Sequence, residues 1–92
     1  MPNISQQKKQ KISEQILYYL FSVSPQALFT AQIAREIARD EEFTKFLLEE
    51  LKSKDIIVKV TKNKEGVDYL RRHRWRLSNQ VYEAYKKHQP QI

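Results

Sequence analysis

The stretch from Phe29 to Val60, FTAQIAREIARDEEFTKFLLEELKSKDIIVKV, most constrains what this chain can fold into. Its apolar residues recur at helical spacing twice, as Ile33, Ala34 and Ile37 behind Thr30, then as Phe43, Leu47, Leu48 and Leu51 behind Asp40. Thr30 and Asp40 suit the N-cap position, because their side-chain oxygens can accept from N–H groups the first turn leaves unpaired. After a polar break at 53–55, the run Ile56, Ile57, Val58, Lys59, Val60 is β-branched and favours a strand. Two helices this short cannot each bury a face alone. The spacing therefore predicts two helices, the first reaching about Ala38, joined by a tight turn at Arg39 and Asp40 and leading into a small sheet.

The rest of the chain supplies what that unit packs on. Ile12, Ile16, Tyr19, Leu20 and Val23 predict a first helix from about Lys8 to just before Pro25, with 1–7 read as a polar tail. Past the strand, Lys62 to Glu65 and the chain's one glycine, Gly66, predict a hairpin loop, where Gly66 can take a positive φ that a side chain would resist. In the returning strand, 67–77, Trp75 and Leu77 share one face and Arg74 and Arg76 the other. Ser78 is placed to cap a last helix over 79–88, with Val81, Ala84 and Tyr85 on its apolar face and 89–92 as a tail. Ninety-two residues make one domain, 1–92, with a single core and little room for a deep cleft.

Charge narrows the function. The formal net charge is +6, yet residues 1–55 carry eight basic and eight acidic side chains, so the whole excess lies in 56–92, with nine basic and three acidic. Such a half attracts a polyanion, because neutralised phosphates release condensed counterions; the alternative is a basic surface kept for solubility. There is no cysteine, which excludes disulfides and thiolate metal sites and fits a cytoplasmic protein. Apolar runs fall far short of the roughly 20 residues of a membrane span, and no signal-peptide pattern follows Lys8, Lys9 and Lys11. His73 and His88 have no neighbouring ligand pattern, and His73 reads as one more polar residue in a basic strand. Glu41, Glu42, Glu49 and Glu50 read as helix-surface and first-turn charges that suit the helix dipole. Neither catalysis nor a metal, cofactor or small-molecule substrate is expected.

Projected at 100° per residue, the third helix places Phe43, Thr44, Leu47, Leu48 and Leu51 on one arc, with Glu42, Lys45, Phe46, Glu49 and Lys52 opposite. Glutamate can accept from cytosine, but carboxylates beside a phosphate-lined groove oppose binding, and Phe46 offers no hydrogen bond. Phe46 fits equally a place under the hairpin, a dimer contact or a nucleic-acid contact. Apolar excess on the terminal helices, at Leu17, Tyr18, Phe21 and Tyr82, predicts a homodimer through those residues.

In its order of elements the chain resembles the winged helix-turn-helix superfamily, in particular compact bacterial and archaeal transcription regulators. The likeness rests on Thr30, Ile33, Ala34, Ile37 and Ala38, on Leu48, Leu51, Ile56 and Ile57, and on Arg74, Trp75, Arg76, Leu77 and Ser78 before a helix, and it covers about 12–88. It implies an α+β fold of three helices, a two-stranded hairpin wing and a C-terminal helix. It also implies a regulator of double-stranded DNA, with the third helix as reader and the hairpin as a phosphate or minor-groove probe. On that reading Gln32, Thr44 and Lys45 approach bases while Lys62, Lys64, Arg71, Arg72, Arg74 and Arg76 hold phosphates. The alternative is a winged-helix module that docks a protein or RNA through Phe46 and its acidic neighbours.

Overall fold

The computed structural model describes residues 5–60 and 73–88. Helix α1 (Gln6–Val23) is followed by a two-residue strand β1 (Leu28–Phe29), helix α2 (Thr30–Glu36), helix α3 (Glu41–Ser53), strands β2 (Ile57–Val60) and β3 (Arg74–Leu77), and helix α4 (Asn79–His88). The strands form one antiparallel sheet in the order β1-β3-β2. The expected hairpin loop at 62–66 with Gly66, the first part of the returning strand, and the tails at 1–4 and 89–92 lie outside the described residues.

Helix α1 starts earlier than its apolar pattern predicts. Ser5 caps it, its Oγ accepting from the Lys8 N–H at 3.2 Å, so 5–7 belong to the helix and its cap rather than to a tail. The pattern could not show this because Gln6 and Gln7 bury nothing. The helix ends where expected, one residue before the Ser24-Pro25 pair, with the Ser24 hydroxyl donating to the Leu20 carbonyl at 2.8 Å.

Asp40 caps α3 as predicted, its Oδ2 accepting from the Phe43 N–H at 3.0 Å. Thr30 does not cap α2. The N-cap is Phe29, whose N–H donates to Gln32 Oε1 at 2.8 Å, and α2 stops at Glu36, short of Ala38. The Thr30 hydroxyl instead accepts from the indole Nε1–H of Trp75 at 2.8 Å. The turn after α2 works without glycine because Ala38 itself takes the left-handed conformation, φ 55°. Its N–H donates to the Arg35 carbonyl and that of Arg39 to Ala34, which closes a Schellman motif. Asp55, φ 60°, repeats the device after α3, with Asp55 N–H to Lys52 O and Ile56 N–H to Leu51 O. Left-handed backbone costs an L-residue about 1–2 kcal/mol, offset at each site by two carbonyls that find partners.

One core joins these elements. Ile12, Ile16 and Leu20 of α1, Ile33 of α2, the predicted arc of α3, and Leu28, Ile57, Trp75 and Leu77 of the sheet are all buried. The alternation foreseen near the end of β3 holds, with Trp75 and Leu77 inward and Arg74 and Arg76 only half-buried. Strand β1 was missing from the expected two-stranded arrangement. It pairs Leu28 with Trp75 and Phe29 with Arg74, while β2 pairs Ile57 with Leu77 and Lys59 with Trp75, so β3 is the central strand. Two residues are too few to show a period in sequence.

The terminal helices meet through aromatic rings. Phe21 of α1 lies 5.4 Å from the Tyr82 ring and 5.5 Å from that of Tyr85. Leu17, Phe21 and Tyr82 are thus packed against this chain's own core, which corrects the apolar-excess argument for three of its four residues. Only Tyr18, 63% exposed, projects freely.

Trp75 is the chain's one indole and fully buried, so its Nε1–H depends on Thr30. Thr30→Val, similar in volume, should leave that donor unsatisfied and destabilise by roughly 1–3 kcal/mol. Urea unfolding followed by Trp75 fluorescence measures it; a loss below a few tenths of a kcal/mol would show that the bond contributes little.

Candidate nucleic-acid interface

The pairing of β1 with β3 and the Thr30–Trp75 bond bring the start of α2, the start of α3 and the described beginning of β3 together. Between them lies a cleft of about 200 Å³ lined by Phe29, Thr30, Ala31, Glu41, Lys45, His73 and Trp75. Glu41 and Lys45 stand one helical turn apart on the exposed side of α3. Among the described residues neither has an ion-pair partner. The Nδ1 of His73 is buried and makes no hydrogen bond. From the sequence Glu41 reads as a first-turn charge that suits the helix dipole and His73 as one more polar residue in a basic strand. The spacing of four between Glu41 and Lys45 was a usable signal; nothing in the sequence joined His73 to them.

Farther along α3 the charge is spoken for. Glu49 accepts from Lys59 Nζ at 2.9 Å, and the same ammonium lies 5.2 Å from the centre of the Trp75 ring. This bond holds the Glu49 carboxyl below the usual range; partial burial opposes it, and the charges of Lys59, Lys52 and Lys45 add to it. Phe46, 41% exposed, has the ammonium of Lys9 in α1 5.3 Å from its ring centre. The outer face of α3 is therefore less acidic and less apolar than its sequence implies.

The predicted contact residues separate in space. Lys45 lines the cleft, and Gln32 is exposed but uses its carbonyl oxygen on Phe29. Thr44 is fully buried and its hydroxyl donates to the Asp40 carbonyl at 2.8 Å, so it cannot approach a base. Its place on the inner arc of α3, between Phe43 and Leu47, is the physical reason. Arg74 lays its guanidinium over the Phe29 ring, 4.7 Å from the centre. Arg76 donates to the Leu77 carbonyl at 3.0 Å and reaches Asn79 Oδ1 at 3.4 Å, which ties it to the start of α4 rather than to the cleft. Lys62, Lys64, Arg71 and Arg72 lie outside the described residues.

Helix, strand, two helices around a tight turn, and a returning strand that packs behind them are the arrangement found in several solved structures. A mutant of MepR from a multidrug-resistant S. aureus clinical isolate superposes with a TM-score of 0.68 at 18% identity, covering 92% of this chain and 63% of that one. The S. aureus MepR–DNA complex gives 0.66 at 20%, over 88% of this chain and 69% of that one. The fold is a winged helix-turn-helix. A mutant of Lactococcus lactis ZitR gives 0.66 at 19% identity over 96% of this chain, which spans 56% of it. No protein-family model and no curated protein matches the sequence. Within the winged helix, α2 and α3 are the helix-turn-helix and β2 and β3 belong to the wing.

The Glu49–Lys59 bond pins that wing to α3, and its pH dependence has a definite sign. A carboxyl whose folded pKa is depressed adds stability above its unfolded value and loses it as pH falls through the folded one. Glu49→Gln should therefore destabilise the fold slightly at pH 7, by less than about 1 kcal/mol because the carboxylate is nearly half exposed, and the deficit should shrink as pH falls below the usual carboxylate range. Calorimetry across that range checks it; a constant deficit would assign the loss to packing.

Proposed function

We propose that this chain is a duplex-DNA-binding transcription regulator that acts in the cytoplasm as a homodimer and carries out no catalysis. The observation that carries this reading is the cleft itself, where the exposed side of α3 at Lys45 lies beside a central strand from the basic half of the chain. The S. aureus structure on DNA supports it by likeness of fold. In this reading Lys45 and Gln32 approach base edges while Arg74 and the wing residues Lys62, Lys64, Arg71 and Arg72 hold phosphates. Arg76, committed to α4, contributes less. The docking-module alternative loses ground because Glu49 is paired and Phe46 is partly covered within the chain.

Duplex binding should weaken with salt in proportion to the phosphates held. Replacing Lys62 and Lys64 with alanine should lower the slope of log K against log salt by roughly two, about equally for all sequences. Anisotropy titrations at several salt concentrations measure this, and an unchanged slope removes the loop from the interface.

The dimer, if formed as proposed, has Tyr18 at its centre. Tyr18 borders a groove between α1 and the turn after α2 whose rim carries both Lys8, Lys11 and Arg39 and the opposite charges Glu14 and Glu36, so that a two-fold copy meets unlike charges. Tyr18→Glu should yield a folded monomer in sedimentation equilibrium at micromolar concentration, whereas Phe21→Glu should unfold the chain because its ring is packed on α4. A wild-type protein at monomer mass would remove the dimer.

A further inference from the structure

The stripe of α3 that faces outward through Glu41, Lys45 and Glu49 contains an acceptor, a donor and a second acceptor. The structure removes the last, since Glu49 is bonded to Lys59 at 2.9 Å. What remains is the first turn and a half of the helix, where Glu41 and Lys45 are exposed, lack ion-pair partners among the described residues, and share one cleft. The small side chain of Ala31 forms part of its wall, so the helix can be approached closely there. Thr30, also in the wall, uses one lone pair of its hydroxyl on the Trp75 indole. His73 closes the far side with an unpaired ring nitrogen.

A carboxylate in the major groove needs an exocyclic amino group. Carbonyl oxygens, ring nitrogens and phosphates all repel it. Cytosine N4 offers that donor, and its partner guanine presents O6 and N7 side by side, two acceptors that suit an ammonium. The N-terminal residues of a reading helix are the ones that reach base edges. We propose that Glu41 and Lys45 make binding specific for cytosine and guanine. The Glu41 carboxylate accepts from cytosine N4, and the Lys45 ammonium donates to guanine O6 and N7, on one C·G pair or on neighbouring pairs. This inference rests on the duplex-DNA reading above and names what that site selects. It gives the carboxylate, which opposes phosphate binding, a role in excluding sites that lack the amino group.

Selection from a random duplex library with the full chain, followed by sequencing of the bound pool, tests it. The wild-type pool should fix cytosine at one position of each site, and replacing that C·G pair should weaken binding roughly 5- to 150-fold. Glu41→Gln should shift the preference at the same position from cytosine to adenine, because a carboxamide both accepts from N6 and donates to N7. Its melting curve establishes that the variant is folded. A wild-type pool with no fixed cytosine, or a Glu41→Gln pool with the cytosine retained, overturns the proposal while leaving duplex binding intact. Absence of any salt-dependent duplex binding overturns both this inference and the function on which it rests.

Discussion

The burial of Trp75 is the interaction on which the rest of this structure depends. Its indole is fully buried in the core cluster, and an indole brings a polar N–H that must be satisfied wherever it is buried. Thr30 satisfies it, and in doing so joins the central strand to the first turn of α2. The same strand holds β1 on one side and β2 on the other. One side chain thus sets where the helix-turn-helix sits relative to the central strand.

Around this anchor the charged residues divide by what the core permits. Lys59 stands opposite Trp75 in β2, and its ammonium finds both the indole face and the Glu49 carboxylate, so an outward charge of α3 is spent on holding the wing. Arg74 and Arg76, on the other face of β3, use Phe29 and the start of α4. Among the described residues, Glu41 and Lys45 near the start of α3 have no ion-pair partner. Other charged side chains of α3 and β3 are occupied within the chain. On the terminal helices Phe21 packs against the Tyr82 and Tyr85 rings, while Tyr18 is exposed.

Much of this was readable before any coordinates. The helical periods of α1 and α3, the Asp40 and Ser78 caps, the strand at Ile57 to Val60 and the inward parity of Trp75 and Leu77 are local properties, set by spacing along one element and by hydrogen bonds between residues three apart. The charge asymmetry that points to a polyanion is likewise a property of the chain alone. Local rules failed where a distant residue competed. Thr30 has the chemistry of a cap, yet a buried indole 45 residues away takes its hydroxyl because an unsatisfied N–H in the core costs more than an open helix end that Gln32 can close. Ala38 takes a conformation usually left to glycine because two carbonyls gain partners by it. Thr44 appeared both on the inner arc and among the contacts, and burial decided between them.

Sequence by itself determined the helices, the strands long enough to show a period, and the half of the chain that carries the charge, because each depends on neighbours within a few positions. Tertiary structure alone decided which of those charges remain free, and so where a ligand can be met. Lys59 and Glu49 are ten residues apart, Thr30 and Trp75 forty-five, and β1 is too short to announce itself. Which side chains lie within reach of a carboxylate of α3 is fixed only when the sheet closes on the helices.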